Sequence, residues 1–285
     1  MQKCNLCPNQ CSVNRQNELG YCKSFENLKI AKYSLHHYEE PIISGTNGSG
    51  TVFFCGCSLK CAFCQNFEVS RNLTGKEITP KELSDIFKEL ESLGAHNINL
   101  VNPTHYSTKI IEALEIYRPN IPIVYNTHGY ESIDVLEKIN DYIDIYLTDL
   151  KYFSPSVSSR YSKKSDYFKK AILAVEFMIN NKKTVLSGDL LKSGVIVRHL
   201  ILPMNSSDSV EILTALRPKI KDAYLSLMAQ YTPFGEIENL PELKRKITNR
   251  EYQKVLDKVY ELKYENVFIQ DTSSSSVGYI PKWDY

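Results

Sequence analysis

Short runs of β-branched and aromatic residues alternate along the chain with longer stretches in which apolar residues recur every three or four positions. The short runs have the length of buried β-strands, and the longer stretches have the period of amphipathic helices. Six strands are predicted, at 51–54, 97–101, 121–125, 143–150, 195–202 and 224–228. Strands that alternate with helices form parallel βαβ units, so the pattern predicts an α/β fold. Periodicity alone leaves a doubly wound sheet and a partial barrel as alternatives.

The predicted helices fill the intervals between these strands. The first begins at a capping box, because Thr79 precedes Pro80 and Glu82 stands three residues after the threonine. It ends at Gly94, a residue type that favours helix C-termini. The remaining helices of this series are predicted at 108–117, 132–139, 167–179 and 209–216.

The pattern divides the chain into three zones. Residues 1–50 are rich in cysteine and turn-forming residues, with a candidate strand over 28–35. Residues 51–235 carry the alternation of strands and helices. Residues 236–285 contain a loop, one helix, one strand and a run of serines at 273–276. We therefore expect a core domain with a cysteine-rich metal-binding extension before it and a helix and strand packed on it afterwards.

Charge and hydropathy exclude several classes of protein. The 285 residues carry a formal net charge of +1, which argues against nucleic acid as a partner, since such binding depends on neutralising phosphates. No stretch of 18 apolar residues predicts a transmembrane helix. The first residues, Met1 to Asn5, are not followed by the apolar run of a signal peptide. These features predict a cytoplasmic protein.

All eight cysteines lie within the first 64 residues. A disulfide scaffold would spread its cysteines along the chain, whereas more than 200 residues here contain none. In a reducing cytosol, clustered thiols are typical of metal or iron–sulfur ligands.

One group of thiols directly follows the first predicted strand. Cys57, Cys61 and Cys64 have the spacing C-x3-C-x2-C. Three thiolates on one tight loop can bind three irons of a [4Fe–4S] cluster and leave the fourth iron open to a substrate or cofactor atom. Cys55 is a spare thiol on the strand side of this loop. The alternatives are buried thiols without a metal, or a zinc knuckle.

This loop resembles that of the radical S-adenosylmethionine (SAM) superfamily, since the three cysteines, with Phe63 before the last, end the first strand of a βα series. The resemblance implies a partial (β/α)6 TIM-like barrel with the cysteine-rich segment as a small N-terminal extension. It also implies a [4Fe–4S] cluster whose open iron binds SAM. Reduction of that cluster would cleave SAM to methionine and a 5′-deoxyadenosyl radical, which abstracts hydrogen from the substrate.

Further segments are similar to homologues of the pyruvate formate-lyase activating enzyme, in a branch with four N-terminal cysteines. The segments are 64–70, 143–151 and 194–203, and the resemblance covers about 50–235. It implies a glycyl radical enzyme as protein substrate and a reducing partner such as flavodoxin or ferredoxin. The alternatives are radical modification of another peptide or a small molecule, modification of RNA, and a non-enzymatic iron–sulfur or zinc module.

Candidate SAM-binding residues follow from the resemblance and from their places at strand ends. Asp149 and Lys151 share one face at the end of the fourth strand, where barrel active sites lie; the alternative is a structural ion pair. Only one of Arg198 and His199 can point inward, since neighbouring residues on a strand face opposite ways; His199 is our candidate. The full set is Asn66, Asn102, Thr104, His105, Asn126, Asp149, Lys151 and His199.

The four remaining cysteines form a second group near the N-terminus. Cys4, Cys7, Cys11 and Cys22 lie among turn-forming residues. Four thiolates suit either a structural zinc ion or an auxiliary iron–sulfur cluster. Sulfur ligands alone do not separate these two, because both accept a tetrahedral set of four. The sequence therefore predicts a second metal of open identity.

Overall fold

A computed structural model describes residues 3–72 and 74–271 of the chain. Within these residues, strands alternate with helices as the sequence pattern predicts. The elements are, in chain order, β1 (Leu28–His36), α1 (Pro41–Ser44), β2 (Ser49–Phe54), α2 (Phe67–Ser70), β3 (Lys76–Ile78), α3 (Pro80–Ser92), β4 (Ile98–Val101), α4 (Ser107–Ile116), β5 (Ile123–Thr127), α5 (Ile133–Ile139), β6 (Ile145–Asp149), α6 (Pro155–Ser162), α7 (Tyr167–Asn181), β7 (Val185–Ser187), β8 (Leu190–Leu200), α8 (Ser206–Leu216), β9 (Tyr224–Met228), α9 (Asn249–Glu261) and β10 (Val267–Ile269). Short 3-10 turns lie at Thr104–Tyr106, Asn140–Tyr142 and Pro241–Lys244.

The strands form one open, mostly parallel sheet in the order β10-β9-β8-β6-β5-β4-β2-β1-β3. All pairs from β2 to β10 along this order are parallel. β1 is antiparallel to β2, β3 is antiparallel to β1, and β7 forms a hairpin with β8. The six predicted strands are β2, β4, β5, β6, β8 and β9, so the predicted partial (β/α)6 TIM-like barrel is confirmed.

The two faces of the sheet bury different cores. The outer face packs against the helices in a large apolar cluster that includes Leu100, Tyr146 and Val197. The inner face has a small cluster of its own, in which Ile43 of α1 packs against Val124 and other inward-facing residues. Helix α1 therefore fills the floor of the barrel, and the polar side chains above it belong to the site.

The capping box at the start of α3 is present. The Thr79 hydroxyl accepts the backbone N–H of Glu82 at 3.1 Å, and the Glu82 carboxylate accepts the backbone N–H of Thr79 at 2.7 Å. Gly94 follows the helix with φ +82°, the left-handed conformation that favours glycine after a helix end. A second capping box, between Thr248 and Glu251, begins α9.

The described parts of the zones at the two ends of the chain pack on the barrel. β1 joins the barrel's sheet and α1 enters its floor, so the predicted boundary at residue 50 falls inside β2. In the tail, the predicted helix and strand are α9 and β10, and β10 extends the sheet beside β9. The serine run at 273–276 lies outside the described residues. Among the helices that the structure describes, none combines the length and apolarity needed to cross a bilayer.

Candidate active site

Three thiols stand on one loop directly after β2, and we call residues 55–66 the cysteine loop. Cys57, Cys61 and Cys64 are each partly exposed. Cys61 and Cys64 line a cavity of about 260 Å³. The cavity also receives side chains from the carboxyl ends of β5, β6 and β8, which is the end of a parallel barrel where active sites form.

Side chains that follow β4 hold the start of the cysteine loop. His105 donates from Nε2–H to the carbonyl oxygen of Cys55 at 2.8 Å, and the side-chain amide of Asn102 donates to the carbonyl oxygen of Gly56. Gly56 has φ +85°, and a Cβ there would lie 2.1 Å from Ser24 Oγ, so the position requires glycine. Asn102 and His105, two of the predicted SAM-binding residues, thus fix the backbone that leads to the first ligand thiol.

The N-terminal cysteine segment, residues 3–27, packs directly on the same loop. The backbone N–H of Cys57 donates to the carbonyl oxygen of Cys22 at 3.1 Å. The side-chain amide of Asn9 donates to the carbonyl oxygen of Ser58 at 2.8 Å. One hydrogen bond therefore joins the backbones of two cysteines that belong to different groups.

Arg15 fastens the N-terminal cysteine segment to the barrel. Its guanidinium donates to the carbonyl oxygens of Phe25 at 2.5 Å, Ser24 at 3.3 Å and His105, and it lies 5.4 Å from the centroid of the Tyr106 ring. Arg15 is only 5% exposed. Within residues 3–72 and 74–271 it forms no ion pair with a carboxylate, so carbonyl dipoles and an aromatic ring stabilise its charge.

His128, at the end of β5, holds the next residue of the loop. Its Nδ1 accepts the backbone N–H of Tyr130 at 3.1 Å, so its Nε2 carries the proton and donates to Ser58 Oγ at 2.6 Å. Burial, with a smaller contribution from Lys151, lowers the pKa of His128 to about 3. Burial and the nearby guanidinium likewise lower the pKa of His105 to about 3. Both imidazoles are therefore neutral donors at physiological pH.

Hydrogen-bond donors also reach the sulfur atoms. Ser162, the last residue of α6, donates to Cys61 Sγ at 3.0 Å, and its oxygen lies 2.6 Å from the hydroxyl oxygen of Tyr152. The backbone N–H of Leu59 is 3.4 Å from Cys57 Sγ. Burial and the neighbouring thiols raise the pKa of Cys57 well above its ordinary value. Without a metal the thiol is protonated at neutral pH, and binding iron would release that proton.

The lining of the cavity also carries a chain of charges. Asp149 Oδ2 lies 2.5 Å from Lys151 Nζ, and its Oδ1 lies 2.8 Å from Arg198 Nε. Burial alone would raise the pKa of Asp149, but the two cations outweigh it and lower that pKa. The same pairing raises the pKa of Lys151 against the opposing effect of burial. All three groups are therefore ionised at neutral pH.

Glu39 enters the barrel from the turn between β1 and α1 and completes this chain. Its Oε2 lies 3.2 Å from Arg198 Nη1, and its Oε1 accepts the side-chain amides of Asn99 at 3.1 Å and Asn126 at 3.2 Å. Asn126 Oδ1 in turn accepts Arg198 Nη2 at 2.7 Å. The sequence analysis missed Glu39, because a carboxylate in a turn-rich zone has no periodicity that would place it inside a barrel.

The structure brings four of the eight predicted SAM-binding residues to the cavity: Asn66, Asn126, Asp149 and Lys151. Asn66 is next but one after Cys64, and its buried Oδ1 has no hydrogen-bond partner among the described residues. The other four, Asn102, Thr104, His105 and His199, lie outside the cavity lining. Asn102 and His105 contact the cysteine loop instead.

His199 is a correction to the sequence analysis. The side chain of Arg198 points into the barrel, so His199 points outward, where its Nδ1–H donates to the carbonyl oxygen of Leu150 at 2.7 Å and its Nε2 accepts the Ser209 hydroxyl at 2.8 Å. Strand periodicity could show only that one of the two faces the cavity. No sequence signal separates the two, because Asp149 and Glu39, the partners of Arg198, meet it only in the folded protein.

Thr104 donates a hydrogen bond to a buried carboxyl group outside the cavity lining. Its hydroxyl donates to Glu131 Oε1 at 2.6 Å, and Thr127 and Tyr125 also donate to this carboxyl group. Burial raises the pKa of Glu131 from 4.5 to about 7, although these hydroxyl donors partly oppose the rise. Glu131 therefore ties the ends of β4 and β5 together just behind the residues that hold the cysteine loop.

The second group of cysteines lies within the N-terminal cysteine segment. Cys7 and Cys22 are buried, and Cys4 and Cys11 are partly exposed. Burial raises the pKa of Cys7 to about 11. In the part of the chain that the structure describes, no three His, Cys, Asp or Glu side chains are close enough to hold a single metal ion. The second metal thus stays a prediction.

The cysteine loop and the cavity fit an iron–sulfur cluster with a bound cofactor. The thiolates of a cluster bind different irons, so they stand farther apart than the ligands of a single ion. Two of the three thiols reach the cavity, where the unpartnered oxygen of Asn66 can accept an N–H and Lys151 can donate one. This donor set suits a cofactor with both an amino group and a carboxylate.

Comparison with known proteins agrees with this arrangement. The sequence model of the radical SAM superfamily matches residues 51–215, more than half of the chain. An uncharacterized protein from Methanocaldococcus jannaschii is 30% identical over 266 residues, which cover 90% of this chain and 74% of that protein.

Among solved structures, SuiB of Streptococcus suis bound to S-adenosylmethionine superposes with a TM-score of 0.51 at 14% identity. The match covers 75% of this chain and 45% of the SuiB chain. A second SuiB structure gives the same TM-score over 76% of this chain and 47% of that one. The chain thus spans less than half of SuiB, and at this identity the likeness concerns the fold. On the family match and the three-thiol loop at its cavity, the chain belongs to the radical SAM superfamily, whose members are enzymes that use a [4Fe–4S] cluster and SAM.

Proposed function

We propose that this radical SAM enzyme is of the activating-enzyme type and abstracts hydrogen from a backbone glycine of a partner enzyme. The observation that carries the proposal is the position of Asp149 and Lys151 in the lining of the same cavity as Asn66 and Cys64. These are residues through which the sequence resembles homologues of the pyruvate formate-lyase activating enzyme. The resemblance gives the class of substrate, and the cavity supports the placement of the motif.

In this proposal Cys57, Cys61 and Cys64 hold the cluster. When bound and reduced, the cluster supplies the electron that cleaves SAM and starts radical chemistry. Lys151 orients the cofactor, because among the described residues its ammonium spends one hydrogen bond, on Asp149, and has further N–H donors for a carboxylate. Asn66 Oδ1 accepts from the amino group of the cofactor.

Arg198 acts through its neighbours. It binds Asp149, Glu39 and Asn126 at the same time, so each of its three nitrogens donates within the protein. Its role is to hold Asp149 and Asn126 in place and to keep the Asp149 carboxylate ionised. The aromatic rings of Phe63 and Tyr231, whose centroids are 6.0 Å apart, close the apolar side of the cavity and exclude water from the reacting groups.

The test is formation of 5′-deoxyadenosine by anaerobically reconstituted protein with SAM and dithionite. We expect the product from the wild type and none above background from Cys61→Ala. Cys55→Ala is the matched control, because Cys55 is buried on the same loop but donates its S–H to the carbonyl oxygen of Thr74 at 3.1 Å. Equal yields from wild type and Cys61→Ala would contradict the proposal.

The substrate of the proposed reaction requires a separate test. A glycyl radical, seen by electron paramagnetic resonance (EPR) in a co-purified or co-expressed partner enzyme, is the expected result. Deoxyadenosine formation driven instead by an added peptide or small molecule would favour the alternative enzymatic readings. An EPR spectrum of the reduced cluster that does not change with SAM would indicate a non-enzymatic iron–sulfur module.

We also propose that Cys4, Cys7, Cys11 and Cys22 bind a second metal, as zinc or as an auxiliary cluster. The support is that Cys7 and Cys22 are buried together in a segment with little apolar core of its own. Iron, sulfide and zinc are counted in protein purified without oxygen, with Cys4→Ala for comparison. Loss of zinc, or of about four irons, in the variant identifies the metal, and identical counts would rule the site out.

A further inference from the structure

A group of lysines surrounds one aromatic ring next to the cysteine loop. The ammonium groups of Lys60 and Lys164 lie 4.2 Å and 3.9 Å from the centroid of the Tyr21 ring. Lys23 is exposed beside them, and it and Arg71 are near enough to Lys60 to lower its pKa, after the larger effect of burial. We call Lys23, Lys60 and Lys164, with the Tyr21 ring between them, the lysine surface.

The charge of this surface is largely unneutralised. Among residues 3–72 and 74–271, none of its three lysines forms an ion pair with a carboxylate. Asp166 lies near Lys164, but its carboxylate accepts the hydroxyl of Tyr130 at 2.9 Å. The whole chain has a net charge of only +1, yet three positively charged side chains lie together on this surface. Such a patch attracts acidic partners.

The lysine surface lies over the thiols but outside the cavity. Lys60 directly precedes Cys61, and burial raises the pKa of Tyr21 with further contributions from Cys57, Cys61 and Cys7, so its ring is within electrostatic range of both cysteine groups. None of the four members of the surface lines the cavity. An approach from this side therefore reaches the cluster ligands without passing through the space that SAM and substrate would occupy.

On the basis of the proposed function, we infer that the lysine surface is the docking site for an acidic one-electron carrier protein that reduces the cluster. The cluster must receive an electron while SAM fills the cavity, so the donor needs a second route to the thiols. In the step, the anionic flavin hydroquinone of a flavodoxin loses one electron and becomes the neutral semiquinone. The cluster gains that electron, and no bond or proton is transferred.

The test uses the full-length reconstituted protein with SAM bound and a purified flavodoxin hydroquinone as the donor. Stopped-flow absorbance of the semiquinone gives the rate constant for electron transfer over a range of salt concentrations. For the Lys60→Glu/Lys164→Glu variant we expect a decrease of about tenfold at low salt and a weaker dependence on salt, since steering charges act mainly on association. The milder Lys60→Gln/Lys164→Gln variant should lie between this variant and the wild type.

Lys138→Glu/Lys183→Glu is the matched control. Both lysines are exposed, and they precede the amino ends of β6 and β7 at the other end of the barrel. This variant has the same net charge as the first but leaves the lysine surface intact. Equal rates and equal salt dependence for the two glutamate variants would overturn the inference.

Two further measurements on the same samples separate the possible failures. If the lysines serve only to balance thiolate charge, the midpoint potential of the cluster will shift and account for the change in rate; that result would also overturn the inference. If dithionite supports deoxyadenosine formation but the rate of electron transfer from flavodoxin does not depend on the lysines, the docking site is wrong and the proposed function stands. If dithionite yields no deoxyadenosine, both are wrong.

Discussion

The two groups of cysteines are positioned by different means. The cysteine loop is held from outside, by His105 and Asn102 after β4, by His128 after β5 and by Ser162 of α6. The N-terminal cysteines are held mainly by their own turns, such as the pair of hydrogen bonds that joins the backbone of Cys4 to Val13 at 2.9 Å and to Ser12 at 3.1 Å.

The difference concerns what each group needs in order to keep its shape. Neutral, buried donors fix the backbone of the cysteine loop whether or not iron is present, as a preorganised site requires. Besides Arg15, the N-terminal group is joined to the cysteine loop by single hydrogen bonds, such as those from Cys57 to Cys22 and from Asn9 to Ser58, so we expect its order to depend on the metal or on docking.

Arg15→Ala should release the N-terminal group and leave the cysteine loop in place. The substitution removes three hydrogen bonds from a buried guanidinium and leaves the carbonyl oxygens without their donor, at a cost of about 4 kcal/mol to the free energy of unfolding. Denaturant unfolding measures this cost, and limited proteolysis should cut within residues 3–27 first. Arg15→Lys is the control, which should restore only part of the stability because one ammonium cannot reach all three acceptors. Uniform cleavage across the barrel would show that Arg15 does not specifically hold the N-terminal group.

Glu131→Gln should change how the free energy of unfolding depends on pH. The folded protein keeps the Glu131 proton up to about pH 7, whereas its ordinary pKa is 4.5. The unfolded chain loses the proton first, so the free energy of unfolding contributed by this group falls as pH rises from 4.5 to 7, by ~3 kcal/mol in total. The neutral glutamine removes this slope.

The measurement for Glu131 is the difference in unfolding free energy between wild type and variant at several pH values. Taking the difference cancels the titration of groups that the substitution does not touch. A difference that stays constant between pH 4.5 and 7 would show that the carboxylate is ionised in the folded protein.

His105→Ala should loosen the start of the cysteine loop by removing the donor to Cys55. Loss of the hydrogen bond and of the buried ring should cost about 2 kcal/mol of stability. The reduced cluster should then show a broadened EPR signal. His105→Gln is the control, since its amide can still donate at nearly the same distance. If both variants give the wild-type spectrum, the hydrogen bond from His105 to Cys55 does not affect the cluster.

Ser162→Ala should leave the fold intact and act on the cluster alone. A hydrogen bond to a thiolate stabilises the reduced, more negative state. Its loss, worth about 1 kcal/mol, should lower the midpoint potential by roughly 40 mV. A redox titration followed by EPR measures the shift. Ser158→Ala is the control, because Ser158 lies on the same helix and, among the described residues, its hydroxyl bonds only to backbone carbonyls of its own turn. Equal potentials for the wild type and Ser162→Ala would contradict the assigned role.

The barrel could be predicted because its strands are short apolar runs that alternate with helices of clear period. Helix α6 was not predicted, because Val157 and Tyr161 are its only large apolar residues and its segment is rich in serine. The three-thiol loop was visible as local spacing. Glu39 and Arg15 were not, because their partners stand far away along the chain and only the folded topology brings them together.

The contact between Arg15 and His105 also has a consequence for synthesis of the chain. The two residues are 90 positions apart, and a ribosome adds about 5–20 residues per second. The N-terminal thiols are therefore synthesised on the order of 5–20 seconds before the strand end that fastens them. Any metal ion captured in that interval would be bound by a short nascent peptide, so the first choice among metals would be made by thiol chemistry alone, before a barrel exists to impose a shape.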